Sequence, residues 1–419
     1  MSQEAAAAPV PTQSRQAASP ASSLGLACLG RAVFEAHRLE AISGGLVERL
    51  AADPGDAGAM FDASTLIQMR GDREKGLELQ AAALAICPAY RTVHGTGRGL
   101  RILAFATAGD LMANTPLDFL LEGSDIELTT WYVDGAAPSP DEVPDHDIAI
   151  LAIGQSDDSS PALSRLSGAF DAWPRPVING RSELISALTR DGVADRFAGH
   201  PQIVCPPTRR VDRSALQQVA SGAQPLSALH ADLRYPVIVR PIGSHAGQGL
   251  EKVDDADGLA AYLALQPAQA FFIAAFFDYA SPDGLYRKLR VMLVNGQPFI
   301  AHMAISARWM VHYLNADMGE AAHRLEEAAM MASFDEGFAV RHAGAFAALT
   351  EAFGLEYFGI DCAETPDGRL LVFEADVAMI VHAMDPVELY PYKKPAMAKL
   401  FAGFVEGLSA SAERRRLAA

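Results

Sequence analysis

The chain has 419 residues, 50% hydrophobic and 20% charged, with a formal net charge of −17. That length supports ~two to four domains with ample core, while the acidic balance excludes the basic surface that nucleic acid or an anionic membrane would need. The four cysteines, Cys28, Cys87, Cys205 and Cys362, are scattered without a C-x-x-C pair and read as buried thiols in a reducing compartment. No apolar run reaches the roughly 18 residues of a membrane span, and the first residues lack the basic and apolar regions of a secretory leader. The default location is the cytoplasm.

Residues 1–23 are mainly Ala, Ser, Pro and Gln, too poor in large apolar groups to offset the entropy of ordering, and read as a disordered tail. From residue 24 the pattern turns helical. Val33, Leu39, Ile42, Leu46 and Leu50 recur at near three-and-four spacing, and Asp53-Pro54-Gly55 ends the run. Residues 59–88 look like a single tetratricopeptide-type helix pair, with Gly71 at the turn, small residues at 81–83 and Pro88 at the close; any two-helix hairpin is the simpler alternative. One such unit cannot bury its own face, so the helical region, residues 24–97, should pack on a neighbouring domain or form a homodimer. The glycines of HGTGRG, residues 94–99, precede a strand instead of following one, which excludes a dinucleotide turn and leaves an interdomain linker.

Residues 98–200 alternate as in a small α/β domain. RILAFAT (101–107), IELTTWYV (126–133), DIAILAIG (147–154) and PVIN (176–179) read as strands with helices between. Ligands of open α/β sheets gather beyond the carboxyl ends of strands. Asn114 and Thr115, in the loop after the first of these strands, are therefore candidate substrate contacts, with helix capping as the equal alternative.

A second unit, residues 201–410, begins with PVIVRPIGSHAGQGLEKV (236–253), read as strand, glycine loop, strand. It lacks the GK[ST] of a P-loop and the following helix of a Rossmann turn. A glycine loop between antiparallel strands can still lie over phosphates and offer backbone N–H groups. Gly243, Gly247 and Gly249 allow the approach, Ser244 and His245 could add donors, and Arg240 ends the preceding strand as a cation. FFIAAFFDYA (271–280) follows. Asn295-Gly296 then turns a hairpin whose first strand carries Lys288 and Arg290 on one face, opposite Ala301 and Met303. Arg308, Trp309, His312 and Tyr313 come next, as a loop over substrate or a packed corner.

The last feature is YFGIDCAETPDGRLLVFEAD, within residues 356–376. Asp367-Gly368 favours a two-residue hairpin turn, which places Asp361 opposite Glu374, and the period of two puts Asp376 on the face of Glu374. Like charges held so closely oppose ionisation unless a cation neutralises them. Oxygen ligands of this type suit Mg2+, with Mn2+ as an alternative. A solvated acidic face is the bland reading; three carboxylates in runs as apolar as LLVF favour the metal.

Taken together, from residue 100 to the C-terminal helix, these features resemble the ATP-grasp superfamily in kind and order. The resemblance implies an α/β (α+β) protein with an α/β pre-ATP-grasp domain, an ATP-grasp catalytic domain, an added N-terminal tetratricopeptide-like region and a short tail at 411–419. It implies ATP as cofactor, with Asp361, Glu374 and Asp376 holding Mg2+. Lys288 and Arg290 would be the catalytic cations, Arg290 stabilising charge on the transferring phosphoryl group. Arg240 and Arg190 stand where the family usually has lysine, the backbone of Ala275 and Phe276 would meet adenine, and Asp278 or Asp283 the ribose. Three departures accompany it: those two arginines, Asp376 in place of asparagine, and Ala274 and Ala275 where an acidic residue is common. The implied activity is ATP-dependent ligation of a carboxylate to an amine or thiol through an acylphosphate. Its substrates would be small molecules or peptides facing Asn114, Thr115, Arg308, His312 and His382. A phosphotransferase and a non-catalytic nucleotide-binding scaffold are the rival readings.

Overall fold

The computed structural model describes residues 19–135, 137–244 and 247–418. Among these residues the chain forms three sheets. The first is mixed, and its central strands Glu127–Tyr132, Arg101–Ala106, Ile148–Leu151 and Val177–Ile178 run parallel in that spatial order. The apolar runs of the two middle ones, Arg101–Ala106 and Ile148–Leu151, are buried on both faces, as central parallel strands require. Strand Ala89–Val93 adds antiparallel to Glu127–Tyr132, and Ala21–Ser22 adds parallel to Ala89–Val93. Residues 94–99 thus join two strands of one sheet and are not a linker between domains. Of the expected disordered tail, residues 1–18 lie outside the described part, while 21–22 are paired. The expected tail at 411–419 is corrected in the same way, because residues 411–418 belong to the helix Lys393–Ala418, and 419 lies outside the described part.

Four helices precede or flank this sheet's first strands: Leu26–Phe34, Ala36–Ala52, Ala57–Met69 and Arg73–Ile86. The second pair is a hairpin turning at Gly71, whose φ of +95° suits glycine. Asp56 and Asp72 cap its helices by accepting from the N–H groups of Ala59 and Lys75. The buried Asp62 ties the hairpin to the first described residues, accepting from Ser23 Oγ at 2.6 Å and Leu24 N at 2.9 Å.

The second sheet is antiparallel, in the order Glu251–Val253, Val237–Pro241, Ala270–Ala275, Thr208–Asp212. Its helices Arg213–Ala220 and Ala256–Leu265 close a separate core around Leu216, Val239, Leu259 and Phe271. The third sheet orders Gln297–Ser306, Tyr286–Val294, Tyr357–Glu364, Leu370–Asp376 and Ile203–Val204. Its core is continuous with that of the first sheet, bridged by Phe401, Phe404 and Leu408 of the long C-terminal helix. The second sheet therefore has its own core, separate from the one the other two sheets share. Among the described residues no helix is long and apolar enough to cross a membrane.

Both hairpins of the third sheet depart from simple turn counting. The loop after Tyr357–Glu364 closes between Thr365 and Arg369, one residue longer than a two-residue turn. A bulge at Phe373 then restores the count, so Asp361 does face Glu374. At Asn295-Gly296 both residues take positive φ, as a tight hairpin turn demands. A bulge at Ala301 slips that register, so Arg290 faces His302 and Lys288 faces Ala304, in place of Ala301 and Met303.

Candidate active site

Between the second sheet and the third sheet lies a cavity of about 260 Å3. One end is apolar, walled by Ile238, Leu250, Ala274, Ala275, Phe276 and Phe277. The end of strand Ala270–Ala275 and the two residues after it supply four of these six, and Lys252 Nζ lies 4.7 Å from the Phe276 ring centroid. The other end is charged. Arg190, Arg240, Lys288 and Arg290 reach it, against the two lining carboxylates Asp361 and Glu374.

Each charged group has an identifiable support. Lys288 and Arg290 are two residues apart on Tyr286–Val294, so both project from one sheet face, which they share with Asp361, the partner of Arg290 on the adjacent strand. There Asp361, only 1% exposed, accepts from Arg290 Nε at 2.8 Å and Nη2 at 3.2 Å. Lys288 Nζ stands 2.8 Å from its Oδ2. Burial would raise the Asp361 carboxyl, but these two cations hold it well below the usual carboxylate range. Arg290 also donates to the Ile380 carbonyl at 2.9 Å. Arg190 opens the helix Arg190–Arg196, capped by Thr189, and pairs with Glu374. Burial raises Glu374, and Arg190 brings it below its ordinary value. Arg240 ends Val237–Pro241 and donates to the hydroxyl and carbonyl of Ser244. Desolvation, then the neighbouring Arg190, lowers it to about 10.

The expected metal site is corrected. Asp361 and Glu374 meet on the sheet, and Asp376 faces Gly359 two pairs further on. The cations that neutralise the first two are side chains from the neighbouring strand and helix. Both Asp361 oxygens are engaged, and Arg190 holds Glu374. Asp376 does not line the cavity; its Oδ1 accepts from the Ala378 N–H at 3.0 Å, and burial raises its carboxyl to about 6. Among the described residues no three His, Cys, Asp or Glu side chains are placed to hold a metal ion. This donor set, as arranged, does not fit Mg2+ or Mn2+.

The expected substrate contacts divide. His312 lines the cavity beside Trp309 and Met310, its imidazole lowered first by burial, then by Lys288 and Arg290. Arg308 is exposed outside it and donates to the Asn315 carbonyl at 3.0 Å. Asn114 and Thr115 are structural ties: the Asn114 amide exchanges both its bonds with Thr107, and the buried Thr115 hydroxyl serves the carbonyls of Ala152 and Val377. Neither caps a helix. His382 is half-buried, accepts from the Met384 N–H at 3.3 Å and packs against Phe119.

The glycine loop stands between antiparallel strands as expected, with Gly243, Gly247 and Gly249 all at positive φ. Gly247 lines the cavity; Ser244 instead braces Arg240, and His245 lies outside the described residues. Asp278 is exposed and accepts from Tyr286 Oη, while Asp283 pairs with Arg287, so neither reaches the cavity. Trp309, from the loop expected over substrate, lines it, while Phe373, Tyr279 and Met310 were not singled out from sequence, yet they line it too. Phe373 is the bulged residue itself, and a bulge leaves no mark in composition or period.

No protein-family model matches the chain, and no curated protein matches it. Among solved structures, the chain is similar to an ATP-grasp RimK-domain protein from Sphaerobacter thermophilus, at 15% identity and a TM-score of 0.42 over 74% of this chain and 99% of that one. It is similar to D-alanine–D-alanine ligase from Bacillus anthracis, complexed with ATP, at 12% identity and 0.45 over 77% and 99%. It is also similar to D-alanyl-alanine synthetase A from Vibrio cholerae, at 12% identity and 0.44 over 75% and 99%.

Proposed function

We propose that this cavity binds ATP and that the chain is an ATP-dependent ligase joining a carboxylate to an amine or thiol. The observation that carries the reading is one cavity with an apolar slot at one end and four cations against two carboxylates at the other. A flat apolar base fits the slot, and a polyphosphate supplies the negative charge that the cationic end lacks. Ala275 and Phe276 line the base end. Arg190 and Arg240 hold the inner phosphates, and Lys288 and Arg290 face the outer one.

In the first step an oxygen of the substrate carboxylate attacks the γ-phosphorus and the bond to ADP breaks, giving an acylphosphate. In the second the amine nitrogen attacks the acyl carbon, loses its proton, and phosphate leaves with its electron pair. Charge develops on the transferring phosphoryl oxygens, where fixed cations in a poorly hydrated cavity act most strongly. Arg290, braced by Asp361 and the Ile380 carbonyl, is oriented for that task. No step is assigned to a metal.

The saturation of Asp361 by Arg290 and Lys288 favours a second reading, a nucleotide-binding scaffold without turnover. ADP and phosphate release from ATP, across a panel of acid–amine pairs and beside Arg290→Met, separates the two. Release that one pair stimulates and the substitution abolishes supports the ligase. ATP binding without release for any pair supports the scaffold, and absence of ATP binding removes both.

A further inference from the structure

A second cavity, of about 110 Å3, lies between the first sheet and the helical hairpin. Its floor is the sheet face bearing Tyr90, Ala104, Ala106, Thr130 and Tyr132; the alanines leave the space that larger residues would fill. Its roof is one face of Ala57–Met69, where Phe61, Thr65 and Gln68 follow helical spacing. It lies across the loop at 109–115 from the charged cavity, to which that loop contributes only Met112.

Three polar atoms in this wall lack a hydrogen-bond partner: Oε1 of Gln68, a residue 8% exposed, the hydroxyl of Tyr90, 3% exposed, and Oδ1 of Asp118. A buried polar atom left in this state costs about 1–3 kcal/mol, so something is expected to meet it. The surroundings choose the sign of that partner. Asp118 and Asp110 are the charged residues of the wall, and no Lys or Arg lines it among the described residues. Asp110 pairs with Arg73 outside the cavity, while Asp118 accepts from the Leu26 N–H at 3.1 Å and faces His94 Nε2 at 3.2 Å. The rings of Phe61, Tyr90 and Tyr132 cluster there with centroids 4.1–6.0 Å apart. Carboxylate, ring faces and a bare amide oxygen together repel an anion and attract an ammonium group that also donates.

We infer that this cavity is a binding site for a small primary alkylammonium ion. Its N–H groups would satisfy Gln68 Oε1 and the Tyr90 oxygen, with the charge balanced by Asp118 and the rings. The small volume suits a short chain, and the three-carbon n-propylammonium ion is the probe of choice. The inference stands on this cavity alone and not on the nucleotide reading.

The test is calorimetric titration of the full chain with n-propylammonium chloride and, as the anion of matching size, sodium propionate. Tyr90→Phe removes only the hydroxyl, and Gln68→Met keeps the volume; thermal melts establish that each variant is folded. Saturable one-site binding of propylammonium is expected, no binding of propionate, and affinity at least ~tenfold weaker in both variants, with ATP binding unchanged. The inference is overturned by propionate binding as tightly, by the absence of saturable propylammonium binding, or by folded variants that bind like wild type. In the last case ordered water meets the two oxygens.

Discussion

Lys288 Nζ stands 2.8 Å from Oδ2 of Asp361, a carboxylate that Arg290 also grips from Nε at 2.8 Å. One buried acid therefore compensates two half-buried cations, and its loss would strand both. Removing one partner of such a cluster costs about 3–5 kcal/mol. Asp361→Ala is expected to lose that much in urea denaturation, while Lys288→Met, which leaves Arg290 paired, should lose clearly less. Because the Asp361 carboxyl is held low, its contribution is present above the unfolded value of about 3.9 and is lost as pH falls through the folded one. The gap between wild type and Asp361→Ala should stay constant from about pH 5 to 8 and close below. A loss under ~1 kcal/mol at pH 7 would contradict the arrangement.

Metal removal tests the same cluster from outside. If side-chain cations receive the polyphosphate, ATP should bind in EDTA within about threefold of its affinity in Mg2+. Equilibrium dialysis in the two buffers measures this. A loss beyond ~100-fold in EDTA would mean that ATP arrival frees Asp361 and Glu374 for a metal, contrary to the geometry described.

How far the site could be read from sequence follows from which contacts are local. Asp361 facing Glu374 was legible because hairpin pairing is counted from its turn. The count survived only because the longer loop at Thr365–Arg369 and the bulge at Phe373 offset each other. The same counting failed by one residue at Arg290, where the bulge at Ala301 has no counterpart. What sequence could not show is which cations meet which acids. Arg190 and Glu374 are 184 residues apart, and only the folded sheet brings them together. The like-charge argument for a metal was sound as electrostatics, but it lacked those partners.

Asp62 offers a test of how the helical hairpin is held. Burial raises its carboxyl to about 6 from an ordinary 3.8, outweighing the bonds from Ser23 and Leu24. A folded state that keeps its proton longer than the unfolded one loses stability as pH rises between those two values. Stability should therefore decline by at most about 3 kcal/mol from pH 4 to 6 on this account and level off above. Asp62→Asn should flatten that segment of the pH profile measured by chemical denaturation. A variant profile as steep as wild type there would assign the slope to other groups.

Gly249 links loop geometry to the cationic end of the cavity. Its φ is +64°, and a Cβ built there would lie 2.9 Å from Cδ of Pro241, the residue that follows Arg240. Gly247 differs, since its added carbon would meet Met310 Sδ at 3.3 Å, the end of a flexible side chain that can yield. Alanine at either position pays for positive φ, about 1 kcal/mol. Only at 249 must the strand end carrying Arg240 also shift. Gly249→Ala is accordingly expected to weaken ATP binding by about tenfold or more, and Gly247→Ala by about threefold or less. Equal effects would show that the strain, and not the displacement of Arg240, governs the site. The Arg240→Ala background separates the two, because Gly249→Ala should then add little if it acts through that arginine.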